Sequence, residues 1–392
     1  MIKEFKVTYG TSAATQEQLD AIEQITVVQE IGNAWEARIR IPVCIAEDGS
    51  WDGEDDPIYQ DGKRVRVEAR IGETGDWVPL IDGTIQERVR DLNAEPGLSS
   101  VTVVVNDDIV LLNQREVSAS FPAGTSDSDI ANQIFLDADL NITPDVEATG
   151  TPPDTNAITN QHGTAMAMLQ MLVARNRGFK AYVLPGDAPG APIGCFKTLP
   201  TETDDLPALY LTGEDRNLAS FNISQNSRRA ARIRGDHLST QDLSVSSGDA
   251  SFSEHVSPGG ESATSLSDAM ARERRLPAAT GDHIDSQEAA EGAALASSYT
   301  LSAEGSVLPQ CYGAILTPYR MVPVRLSNSR FSTDYVIFRV THTLGRSEYT
   351  QSFSLRGNSV SPAAGSSASI PAAVAAVGGA AAVSFNVQID IF

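Results

Sequence analysis

The chain has 392 residues, too many for one small core and enough for two or three domains. Acidic residues outnumber basic ones 51 to 29, a formal net charge of −22, which argues against a basic clamp for nucleic acid. No apolar run approaches the ~20 residues of a spanning helix, so no membrane insertion is expected. The acidic balance reads first as solubility and second as the wall of a conduit from which nucleic acid is repelled.

The opening stretch lacks the pattern of a secretory leader, and synthesis in the cytoplasm is expected. It alternates instead through Ile2, Phe5, Val7 and Tyr9, loosely like a first strand. Residues 1–110 continue as β. Alternating runs begin at Glu36, Arg64, Trp77 and Ser99, with turn signals at Glu47-Asp-Gly-Ser, Gln60-Asp-Gly-Lys and Gly72-Glu-Thr-Gly-Asp. Short strands at this spacing predict a small barrel or sandwich.

Residues 111–215 change character and predict an α+β insert. Ser126 opens a helix with Ile130, Ile134 and Phe135 on one side. A second helix runs from about Thr164 to Arg177, with Met166, Leu169, Leu172 and Val173 as its stripe and Gly178 at C′. A hairpin from Phe179 and Gly194 follows. Residues 216–360 return to β, with strands expected at 218–223, 230–235, 313–316, 321–326, 334–340 and 349–355. Residues 240–284 read as a long polar loop, and Asp285 with Glu288 as the start of an Ala-rich helix containing Gly292. Residues 361–382 have a Ser/Pro/Ala/Gly linker composition. Residues 383–392 alternate again and place Phe385, Val387, Ile389 and Ile391 on one face of a terminal strand. Such a strand needs a sheet edge, its own or a partner's.

The residues offer no chemistry. Gly-x-Ser-x-Gly, P-loop and dinucleotide glycine patterns are absent, so no catalytic or cofactor-binding residue is assigned. His162, His237, His255, His283 and His342 lack metal-ligand spacing. Asp48-Gly-Ser-Trp-Asp-Gly begins like a calcium loop, but the closing position is Tyr59, so an acidic hairpin tip is the simpler reading. Cys44, Cys195 and Cys311 are sparse and odd in number, which predicts neither disulfides nor zinc but buried apolar residues.

The order of parts resembles the phage late control D family, the baseplate hubs of contractile tails, related to extracellular injection systems and to the N-terminal part of VgrG proteins. Three patterns carry the resemblance: the segment Asn156 to Gln161 followed by the helix to Arg177 and the strand from Gly178; the helix Asp285-Ser-Gln-Glu-Ala-Ala-Glu-Gly-Ala-Ala; and Tyr335-Val-Ile-Phe-Arg-Val-Thr-His342 followed by Glu348-Tyr-Thr-Gln-Ser-Phe. They cover about residues 1–358. The resemblance implies a mainly β fold with an α+β insert, two small β-barrel domains flanking it, and a trimeric ring. It implies a structural, non-enzymatic hub joining a sixfold tail tube to a threefold spike around a channel. The implied partners are two further copies, spike, tube and other baseplate components such as the tape measure, in a virion or phage-like particle. No β-helix needle follows, so the spike is expected to be a separate protein. The rival classes are a tail-associated cell-wall hydrolase and a carbohydrate-binding tail-fibre adhesin.

Overall fold

The computed structural model describes residues 3–45, 49, 51–52, 57–95, 97–150, 158–203, 205–238, 243–255, 260–264, 270–276, 279–280, 285–345 and 348–361. The fold is mainly β. Its centre is a 13-stranded sheet. From one edge the strands run Leu218–Gln225, Leu301–Val307, Tyr349–Gly357, Asp334–Gly345, Gln24–Glu30, Glu36–Pro42, Ser100–Asp107, Val78–Asp91, Arg64–Ile71, Lys3–Tyr9 and Ser12–Ala13. Met321–Arg325 pairs with the start of Asp334–Gly345, and Leu209–Tyr210 pairs with Met321–Arg325.

This corrects the expectation of two closed barrels. Among the described residues no sheet closes, and the opening and closing β regions share one sheet. The cause lies in the strand Asp334–Gly345. It pairs with Met321–Pro323 over its first residues and with Gln24–Glu30 over its last. A bulge between Ile337 and Arg339 separates the two stretches. Before it Tyr335 and Ile337 are buried; after it Val340, His342 and Leu344 are. One extra residue thus shifts the inward parity along a single strand whose two ends pair with different neighbours in the same sheet. The strand contributes to two cores, Val336 and Leu344 to one and Tyr335, Ile337 and Val340 to the other. One is built on Ile25, Ile39, Val65, Leu80 and Val103, the other on Leu301, Val322, Tyr335, Ile337 and Leu355.

The helices are α1 (Gln16–Ala21), α2 (Ile109–Leu112), α3 (Asp127–Asp137), α4 (Ala165–Arg175) and α5 (Ser286–Ser298). α1, unanticipated, starts at a capping box of Thr15 and Gln18. α3 and α4 form where expected, capped by the hydroxyls of Ser126 and Thr164. They pack on the sheet Thr143–Val146, Ile193–Thr198 and Phe179–Leu184, in the same core as the first β region. α4 ends at Arg175 with Asn176 as C-cap, so Gly178, at φ +72°, turns the chain one position later than the C′ expected.

Two other expectations fail. Within residues 240–284, Val245–Ser251 and Arg272–Arg275 flank Ala231–Leu238 in a small sheet. Their Ser- and Arg-rich composition hides the strands; the Ala face of α5 makes them stable by covering Ile233 and Ala250. Conversely, residues 313–316 form no strand. Ile315 and Leu316 are buried as loop, and the Leu316 N–H is satisfied by the Gln351 side chain.

Candidate assembly site at the junction of the three regions

The residues assigned to the terminal strand, Phe385, Val387, Ile389 and Ile391, lie outside the described residues, as does the preceding linker from residue 362. Most of the stretch 48–56 also lies outside them. Among the described residues no group of three His, Cys, Asp or Glu side chains is placed to hold a metal ion. Cys195 is buried as expected; Cys44 and Cys311 are exposed, which corrects that expectation. What the fold does bring together is a set of polar contacts that fix the three regions to one another.

The first contact is the seam of the large sheet. His342 is fully buried, with Nδ1 2.8 Å from the Tyr349 hydroxyl and Nε2 3.1 Å from Gln29 Oε1. Gln29 donates its amide nitrogen to the Leu80 carbonyl at 2.6 Å, so its Oε1 is free to accept. His342 must then donate through Nε2 and accept the Tyr349 proton at Nδ1, a neutral ring. Burial holds its pKa down at about 3, in agreement with that state. The third pattern of the resemblance therefore consists of seam residues. Tyr335 adds a bond to the Phe331 carbonyl, and Gln351 one to Ala314.

The second contact anchors the insert. Asp82 and Asp108 have fully buried carboxylates and receive Arg64, each at 2.9 Å. Arg66 reaches Asp82 at 3.3 Å and donates to the Gly186 carbonyl at 2.7 Å. Asp82 also accepts the Gly190 N–H at 2.9 Å. The alternation Arg64-Val-Arg-Val, legible as a strand, thus places two guanidiniums on one face to clasp the 186–190 turn.

The third is Tyr319. It holds φ +63°, a conformation rarely adopted by a bulky side chain. Its ring stacks on Tyr182 of the insert at 3.5 Å between centroids, and its hydroxyl accepts the Gly32 N–H at 3.2 Å. One residue of the last region therefore touches both others. Nothing in the sequence marks it, since both partners are distant along the chain and an aromatic is not a turn signal.

Within the insert, Arg175 forms a two-pronged ion pair with Asp127, and Asn176 bonds the same carboxylate at 2.6 Å. The C-terminus of α4 is thereby tied to the first turn of α3, a favourable place for an acid. Gly292 of α5 sits against that end: a Cβ there would lie 3.2 Å from the Arg177 Cα. Beside α5 a cleft of about 420 Å³ opens between Arg177, Leu199, His255, Leu295, Tyr299 and Arg356.

The open, mainly β sheet with its α+β insert is similar in fold to solved phage tail proteins. The 43 kDa tail protein of prophage MuSo2 from Shewanella oneidensis superposes with a TM-score of 0.60 at 14% identity, over 90% of this chain and 98% of that one. The tail protein from Neisseria meningitidis MC58 gives 0.58 at 11% identity, over 91% and 96%. A type VI secretion component of E. coli, c3393, described as similar to the T4 bacteriophage tail proteins gp27 and gp5, gives 0.51 at 9% identity, over 92% and 77%. No family model and no curated protein matches the chain. Among the described residues no helix is long and apolar enough to cross a membrane.

Proposed function

We propose that the chain is a structural baseplate hub of the late control D kind, in a contractile phage tail or phage-like injection particle. Three copies form a ring that joins the sixfold tube to the threefold spike around a channel and catalyses nothing. The observation that carries the reading is the likeness of fold to phage tail proteins over nine-tenths of the chain. The shared sheet changes how the adaptor works. Each chain contributes two sheet halves with separate cores, bound rigidly by Asp334–Gly345, rather than two independent barrels. Six such halves in three copies give the tube six positions, through heterologous contacts that close. The division at 110, 215 and 360, and the terminal strand with Phe385, Val387, Ile389 and Ile391 as an interface to another hub chain or the spike, belong to the same reading.

Solution mass tests it. Light scattering is expected to give three chains of 41.7 kDa per particle. A monomer at micromolar concentration that binds neither tube nor spike protein would sink the reading. Lytic activity of the pure protein on peptidoglycan would favour a hydrolase instead.

A further inference from the structure

The cleft beside α5 takes no part in the junction contacts. His255 in its wall is 7% exposed, and among the described residues its Nε2 has no hydrogen-bond partner. Its Nδ1 faces the Arg177 guanidinium at 3.4 Å. A guanidinium only donates, so Nδ1 accepts and the neutral ring carries its proton on Nε2. Burial, and then Arg177, hold the ring below its usual pKa, which keeps it neutral. The cleft therefore presents a buried donor that lacks an acceptor, the kind of group that native structures otherwise satisfy.

Charge points the same way. An adjoining pocket of about 220 Å³ shares Leu199, Leu295, Tyr299 and Arg356 with the cleft and adds Lys180 and Arg229. Among the described residues neither Lys180 nor Arg229 has an ion-pair partner. Arg356 lies over the Phe338 ring at 5.0 Å and donates to Ser302. Glu30 and Glu304 act on it from a distance. Of the other charges on the walls, Arg177 is paired with Glu291 at 2.7 Å and Asp334 with Arg325 at 3.1 Å, which leaves Glu254 as the remaining acid among the described residues. A chain of net charge −22 thus gathers unneutralised cations over an apolar floor. The matching occupant is an extended segment with alternating apolar side chains, free carbonyls and an acid.

Residues 383–391 have that composition: Phe385, Val387, Ile389 and Ile391 alternate with polar residues, and Asp390 is their acid. Asn358, on the cleft wall, stands shortly before the linker 361–382. A linker of that composition and length spans about 25 Å root-mean-square, against a radius of gyration of about 20 Å for a domain of this size. We propose that the cleft receives residues 383–391 of a neighbouring copy of the chain. The Asp390 carboxylate meets Lys180 and Arg356, and a carbonyl of the segment accepts the His255 Nε2–H. The inference rests on the ring read above, in which each copy gives a strand to one neighbour and takes one from the other.

The experiment places a photo-cross-linking benzoylphenylalanine at Val387 in the full chain. Irradiation is expected to give two- and three-chain products whose adducts map to residues 177–199, 295–299 or 356–358. Asp390→Lys is expected to cut the yield about tenfold, and adding Lys180→Glu to restore it. Adducts on the sheet edge Leu218–Gln225, adducts confined to one chain, or a yield indifferent to Asp390→Lys would each overturn the proposal. A three-chain mass with adducts elsewhere leaves the hub reading standing while this inference falls. A one-chain mass removes the hub reading, whatever the adducts show.

Discussion

At the seam of the large sheet the buried polar groups are neutral: Gln29, His342 and Tyr349 pass hydrogen bonds along a line without an ion. At the clasp of the insert they are ionised: two arginines face two carboxylates that have no exposed side-chain surface. The neutral line sits inside a continuous ladder and sets its register, since a slip of one residue would leave each donor facing apolar side chains. The charged clasp has no ladder to extend. It holds a turn to a sheet by charge-assisted hydrogen bonds, from the Arg66 guanidinium to the Gly186 carbonyl and from the Gly190 N–H to the Asp82 carboxylate, which are stronger than neutral ones.

Breaking the clasp is therefore expected to cost more than breaking the seam. Asp82→Ala leaves Arg66 without its aspartate and strips the acceptor from Gly190, and urea unfolding is expected to show a loss of about 3–5 kcal/mol. A loss below ~1 kcal/mol would mean that water already screens the pair. His342→Leu removes the acceptor of the Tyr349 hydroxyl and the donor to Gln29 Oε1, and is expected to cost about 1–3 kcal/mol.

The two regions also separate by pH. His342 has its folded pKa at about 3, below the ~6.5 of an unfolded histidine. Its contribution is present above pH ~6.5 and is lost as pH falls through about 3. Asp107, next to the clasp, runs the other way. Burial pushes its pKa up to about 8, against bonds donated by the Trp35 and Ile109 backbone. Its contribution is present below pH ~3.9 and is lost as pH rises through about 8. Chemical denaturation from pH 3 to 9 is expected to show both arms, with His342→Leu removing the acid one and Asp107→Asn the alkaline one. Gly194→Ala serves as the smallest perturbation. Its Cβ would lie 2.5 Å from the Phe135 ring, within the insert and away from seam and clasp, and a cost of about 1–3 kcal/mol with the pH arms unchanged is expected.

Much of the fold was legible from local pattern. Arg64–Ile71 forms the strand its alternation announces, though Arg66 and Glu68 on its polar face are buried too, and Ser126, Thr164 and Asp285 cap the helices that their side chains predict. Strand Leu301–Val307, with Ser302, Glu304, Gly305 and Ser306, gave too weak a signal, and the strands at 245–251 and 272–275 gave none. Their stability comes from the neighbours on which they lie, which local propensity does not contain. The junction residues divide in the same way. His342 and Tyr349 stood in a recognisable pattern, but their partner Gln29 lies more than three hundred residues away, and Tyr319 carries no sign at all.

The sequence by itself determined the β-rich class, the insert, the helix caps and the absence of a known catalytic pattern, because these follow from periodicity and from the hydrogen-bonding needs of nearby backbone. Tertiary structure alone decided that the two β regions share one sheet, since the closing strand Asp334–Gly345 pairs with Gln24–Glu30, more than three hundred residues away in sequence. It also decided that cations scattered from Lys180 to Arg356 should meet around one cleft in an acidic chain. Neither result has a local cause: both depend on which distant residues the closing of the core brings face to face.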